Sequence, residues 1–170
     1  MSTPDIDTSP EDLYIHIRSG DIFTNHINKL YTQPPLCFYQ KIINNYEFKK
    51  IFILSNGKEN PCINKLLESY PNIKYIQSSL VNDSTILFNA YNLVGGRSTF
   101  IWAIIYFSKK LQNLWTYNRI IKSYNKRYTN YYMKPSRTFK RIMYPWKNSS
   151  IQYSLMVNET CSDKKFKIIN

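Results

Sequence analysis

The chain has 170 residues, 43% of them apolar and 16% aromatic, which suits one domain with a single core and excludes a disordered polymer. Its net charge of +12 is unevenly placed: twelve Lys or Arg and no Asp or Glu lie between Ser84 and Asn158, while the other eleven basic residues are balanced by all eleven acidic ones. A block of that kind attracts anions (a phosphate-bearing ligand, nucleic acid or a membrane surface), although beyond Lys109 it reads equally well as a solvated basic face.

The first ten residues are polar and acidic, without the apolar run of a secretory leader, so they read as a loose lead-in over 1–12. The expectation is a cytoplasmic protein, or one of the ER or Golgi if the sequence is a piece of a longer chain. Leu13-Tyr14-Ile15-His16-Ile17-Arg18 alternates with period two and stops at Ser19-Gly20-Asp21, which predicts a strand and a turn. Leu36, Tyr39, Ile42, Ile43 and Tyr46 recur at helical spacing. Lys50 to Ser55 is a short apolar run ended by Asn56-Gly57, a buried strand. Pro61 opens a helix that stops at Tyr70-Pro71, and Ile73 to Gln77 is a third strand.

Asp83-Ser84-Thr85 can cap a helix running to about Asn89 or Ala90. Leu93-Val94 then leads into Gly95-Gly96-Arg97, and Ser98-Thr99 caps an apolar helix through Leu111. The apolar stretch Ile86 to Phe107 is about long enough to span a bilayer. It is broken by Asn89, Asn92, Gly95, Gly96 and Arg97, so it reads as buried elements around a turn. Leu114 to Tyr117 resembles a last strand. Strands alternating with helices over 13–117 predict an α/β domain, a Rossmann-like parallel sheet with helices on both faces. Residues 118–170 read as a basic, Tyr-rich extension packed on that domain. Trp146-Lys147-Asn148-Ser149 returns the tail to it, and a short helix spans Ile151 to Val157.

Cys37, Cys62 and Cys161 are too few and too scattered for a disulfide framework or a zinc site, and their odd number points to reduced thiols. Asn82-Asp83-Ser84, Asn148-Ser149-Ser150 and Asn158-Glu159-Thr160 are glycosylation triplets, which an Asn-rich chain produces by chance.

Two groups of residues carry chemistry. His16 and Arg18 share one side of the first strand, where a buried sheet seldom tolerates a charge without a partner. At the strand's carboxyl end Arg18 could grip a phosphate with two N–H groups, Gly20 would allow the sharp turn, and Asp21 would brace Arg18. The plainer alternative is an internal Arg18–Asp21 ion pair with His16 packed beside it. The second group is Gly95-Gly96-Arg97-Ser98-Thr99-Phe100, two small residues and two hydroxyls at a helix N-terminus, which suits an anion. Its plainer alternative is a capped helix after a tight turn. Both groups fall at carboxyl ends of one predicted sheet, where ligands bind in such folds.

Ile15-His16-Ile17-Arg18-Ser19-Gly20-Asp21 resembles the His-x-Arg-x-Gly-Asp motif of the α1,2-, α1,6- and protein O-fucosyltransferases of the GT-B fold. Asp83, followed fifteen residues later by Ser98-Thr99-Phe100, resembles the second and third motifs of that superfamily. The resemblance runs from about Asp12 to Trp115 and implies the nucleotide-sugar-binding half of a GT-B glycosyltransferase. It implies that Arg18 contacts the β-phosphate of GDP-fucose and acts in catalysis. His16 and Asp83 would lie near the guanine or ribose, Ser98 and Thr99 would bind phosphate, and Phe100 would pack near the base. It further implies inverting transfer to a glycan or protein hydroxyl with no metal cofactor. The acceptor-binding half is then missing or supplied by a partner chain, and no carboxylate among Asp21, Glu59 and Asp83 has a motif that marks it as the base. Two other functions stay open: a remnant that binds nucleotide without catalysis, and a basic nucleic-acid-binding protein. The latter would use Tyr124, Tyr128, Tyr131 and Tyr132 interleaved with Lys126, Arg127 and Lys134.

Overall fold

The computed structural model describes residues 7–24, 28–96, 98–118 and 128–169. Among the described residues seven strands form one sheet: β1 (Asp12–His16), β2 (Lys50–Leu54), β3 (Ile73–Ile76), β4 (Asn92–Gly95), β5 (Asn113–Tyr117), β6 (Thr129–Met133) and β7 (Lys167–Ile169). The helices between them are α1 (Leu36–Asn45), α2 (Pro61–Ser69), α3 (Leu80–Phe88), α4 (Thr99–Phe107), α5 (Arg137–Met143) and α6 (Ser150–Asn158). The strand order is β3-β2-β1-β4-β5-β6-β7, parallel throughout except for the final β6–β7 pair. This is a mixed α/β fold with a mostly parallel sheet.

Side-chain alternation divides the core between the two faces. Leu13, Ile15, Ile51 and Ile53 pack on one side with α1, α2, α5 and α6. Tyr14, Phe52, Leu54 and Leu93 pack on the other with α3 and α4. The order reverses direction between β1 and β4: the chain first builds outward to β3, then returns through α3 to the far side of β1. A parallel sheet leaves a crevice beyond its carboxyl ends at such a switch. Here that switch falls between the carboxyl ends of β1, at His16, and β4, at Gly95.

Several expectations change. α3 begins at Leu80 rather than after Asp83, because the Ser79 hydroxyl caps it by accepting from the Asn82 amide. α4 stops at Phe107, short of Leu111, and Ser108 turns its hydroxyl to the Phe88 carbonyl at 3.1 Å. Leu114 to Tyr117 is not the last strand, since β6 and β7 extend the sheet beyond it. The expected reduced thiols are also corrected: Cys37 in α1 and Cys161 after α6, 124 positions apart in sequence, form a disulfide, leaving Cys62 as a buried free thiol.

The C-terminal segment helps hold the loop after β1. The buried Trp146 indole donates to the Ile22 carbonyl at 2.9 Å, and Asn148 Nδ2 donates to the Phe23 carbonyl at 3.0 Å. Among the described residues no helix is long and apolar enough to cross a membrane.

Candidate functional site at the carboxyl edge of the sheet

β1 ends at His16, one step before the Ile17 amide donates to the Leu54 carbonyl. The His16 ring turns toward the α3–α4 side and meets Phe100 of α4, ring centroids 5.5 Å apart. Its Nδ1 is enclosed without a hydrogen-bond partner. Burial, reinforced by the nearby Arg18 cation, lowers the His16 pKa from 6.5 to about 4, so the imidazole is neutral at physiological pH.

Arg18 lies past the strand end. Its Nη2 donates to Asp21 Oδ2 at 2.7 Å and its Nε to Oδ1 at 3.4 Å, while the guanidinium sits 4.3 Å from the centroid of the Tyr31 ring. The internal ion pair is therefore real. A guanidinium carries five N–H donors, and Asp21 engages two of them. Tyr31 and Asp21 fix the plane of the group and its remaining donors.

The turn that positions Arg18 is held from the loop after β2. Gly20 adopts φ +60°, a conformation that favours glycine, and a Cβ there would displace the Asn56 side-chain amide, whose Nδ2 would lie 2.7 Å away. Glu59 accepts from the Ser19 hydroxyl at 2.8 Å and the Gly20 amide at 2.9 Å. The hydrogen bond from its own backbone N–H, followed by those from Ser19 and Gly20, holds the Glu59 carboxyl below the usual carboxylate range. Asn60 Nδ2 donates to the Arg18 carbonyl at 3.1 Å, and Asn56 accepts from the Ser19 amide at 3.2 Å. Asn56, Glu59 and Asn60 are the residues that sequence reasoning missed as a group. Their signal was available: they fill the loop at the carboxyl end of β2, beside β1.

From the other side of the switch, Gly96 comes against the end of β1. A Cβ on Gly96 would lie 2.7 Å from the His16 carbonyl oxygen and 3.3 Å from His16 Nδ1. What the bare backbone permits here is a close approach of β4 to β1. Ser98, buried, caps α4 by accepting from the Ile101 amide at 3.2 Å, and Thr99 opens the helix with an exposed side chain. Arg97 and His26 lie outside the described residues.

Asp83 sits in the first turn of α3, at the same edge but reached from β3, two strands from β1. It accepts from the Ser78 hydroxyl at 2.6 Å. Burial raises its pKa, and the Ser78 hydrogen bond opposes that rise. Tyr75 lies in the field of both Glu59 and Asp83, with Lys58 Nζ 4.6 Å over its ring. The structure thus brings His16, Gly96, Ser98 and Phe100 into one cluster, sets Arg18 and Asp21 beside it, and leaves Asp83 on the flank.

No protein-family model matches the chain, and no curated protein does. Among solved structures it is similar to the crystal structure of POFUT1 in complex with GDP-fucose, with a TM-score of 0.40 and 14% identity. That match takes in 61% of this chain and 39% of the other. It is a distant, partial likeness of backbone.

The aromatic stretch read as a possible nucleic-acid surface is partly engaged by the core. The Tyr131 ring stacks on Trp115 with centroids 5.0 Å apart, and Tyr128 packs against the α3–α4 cluster. Tyr124, Lys126 and Arg127 lie outside the described residues. Among the described residues no group of three His, Cys, Asp or Glu side chains is placed to hold a metal ion.

Proposed function

We propose that the crevice at the β1–β4 switch binds the diphosphate of a nucleotide sugar, and that the chain is the donor-binding part of a glycosyltransferase. The observation that supports this most is the contact of Gly96 with His16, which puts the end of β1 and the N-terminus of α4 at one point of the sheet's carboxyl edge. Arg18 supplies a fixed cation there, and the first amides of α4 supply aligned dipoles. Both suit an anion.

In this reading the donor is GDP-fucose, as the motif resemblance implies, and the acceptor is a glycan or protein hydroxyl. Breaking the sugar–phosphate bond places negative charge on the departing diphosphate. Arg18 and the α4 N-terminus, held in place before the reaction, stabilise that charge. Neutral His16 contributes a hydrogen bond rather than a charge, Ser98 and Thr99 offer hydroxyl donors, and Phe100 holds the imidazole. Asp83 is assigned to the nucleoside side of the crevice. Transfer is inverting and metal-independent, and a second domain or a partner chain supplies the acceptor surface.

A binding-only role is the second reading, favoured by the Arg18–Asp21 pair, which already engages part of the guanidinium. The two separate in one assay. Incubation with GDP-fucose that releases GDP, by transfer or by slow donor hydrolysis, supports the enzyme. Tight GDP binding without any release of GDP from the donor supports the binder. Equal affinity for UDP sugars contradicts the assignment of the base.

A further inference from the structure

The outward surfaces of the two helical layers differ. On one side α1, α2 and α5 carry Lys41, Lys65, Glu68, Arg137, Lys140 and Arg141, although α6 beside them carries no charged residue. From Leu80 to Ser108, by contrast, the sequence has only two charged residues, Asp83, which is buried, and Arg97. α4 itself reads Thr-Phe-Ile-Trp-Ala-Ile-Ile-Tyr-Phe, apolar almost all round, although only one side of it meets the core. A helix with water on one face ordinarily carries polar residues there.

The exposure is greatest at its end. Tyr106 is 78% and Phe107 64% exposed, their rings set edge to face at 5.0 Å. Two residues on, Lys109 and Lys110 are exposed, and the Lys110 ammonium lies 5.8 Å from the Tyr91 ring centroid. Because α4 starts at the carboxyl edge and runs back toward β5, this tip lies at the opposite edge of the sheet from the crevice. Paired exposed aromatics followed by paired lysines match a lipid interface: rings settle at headgroup depth and ammonium groups meet anionic phosphates. Charge also argues against a second copy as the occupant, since a chain of net charge +12 repels itself and is drawn to an anionic surface.

We propose that the end of α4 is a membrane-docking tip, with Tyr106 and Phe107 entering the interface of an anionic bilayer and Lys109 and Lys110 lying on its headgroups. Docking in this orientation leaves the crevice facing away from the bilayer. The proposal does not depend on the nucleotide reading.

Co-sedimentation with vesicles of phosphatidylcholine alone, or with about one quarter phosphatidylserine, tests it. The chain should pellet with the phosphatidylserine vesicles and be released by salt. Tyr106→Ser with Phe107→Ser should lower partitioning about tenfold, as should Lys109→Gln with Lys110→Gln. Both side-chain pairs are exposed, so circular dichroism and the melting temperature should match wild type. No retention on phosphatidylserine vesicles overturns the proposal, and so does equal retention of the aromatic double variant. Gel filtration showing a dimer that this variant dissociates, with no lipid retention, assigns the surface to self-association instead.

Discussion

Gly96 approaches His16 so closely that a methyl group on residue 96 would lie 2.7 Å from the His16 carbonyl oxygen, a contact with backbone that no side-chain rotation relieves. Gly96→Ala should therefore push β4 away from β1 at the carboxyl edge. We expect a loss of about 1–3 kcal/mol in stability, the usual cost of overpacking, measured by urea denaturation. Nucleotide affinity should fall with it. Wild-type stability in this variant would show that the edge is looser than the geometry indicates.

The His16 environment sets a pH signature. In the native chain the imidazole takes up a proton only near pH 4, whereas in the unfolded chain it does so near 6.5. Above about 6.5 both states are neutral and the group adds no pH dependence. As pH falls from 6.5 toward 4 the unfolded state binds the extra proton, so stability drops, by up to about 1.4 kcal/mol per pH unit. Subtracting the pH–stability curve of His16→Gln from that of wild type isolates this group from the carboxylates. A flat difference curve over that window contradicts the buried neutral histidine.

The disulfide makes a chemical prediction. With Cys37 joined to Cys161 and Cys62 buried, alkylation of the native chain should give no label. Unfolding without reductant should give one, and unfolding with reductant three. Cys161→Ser should cost about 2–4 kcal/mol, since the bridge closes a long loop in the unfolded chain. Three labels on the unfolded, unreduced chain would remove the bridge from the account.

The alternation of strand and helix was legible because apolar period and turn residues agreed locally: Leu13 to Ile17 alternates, Pro61 opens α2, and Asn56-Gly57 closes β2. The clustering of His16 with the Gly96–Phe100 turn was legible for the same reason, since parallel strands bring their carboxyl ends to one edge. What failed was decided by contacts distant in sequence or by interchangeable local chemistry. Ser79 and Asp83 are both good caps, and Asp83 is drawn instead to Ser78. Tyr131 and Tyr132 looked like a surface stretch because their burial depends on Trp115 and on pairing with β7. A pairing between cysteines 124 positions apart leaves no local trace.

The Arg18–Asp21 pair decides between a poised cation and an ordinary ion pair. Its side chains are 21% and 58% exposed, so as an ion pair it contributes about 0–1 kcal/mol to stability. Calorimetric titration with GDP, for wild type and Arg18→Ala, separates the two. Wild type should bind, and the variant should lose affinity about tenfold or more with its melting temperature little changed. Absence of GDP binding by wild type, or equal affinity in the folded variant, would contradict the poised cation.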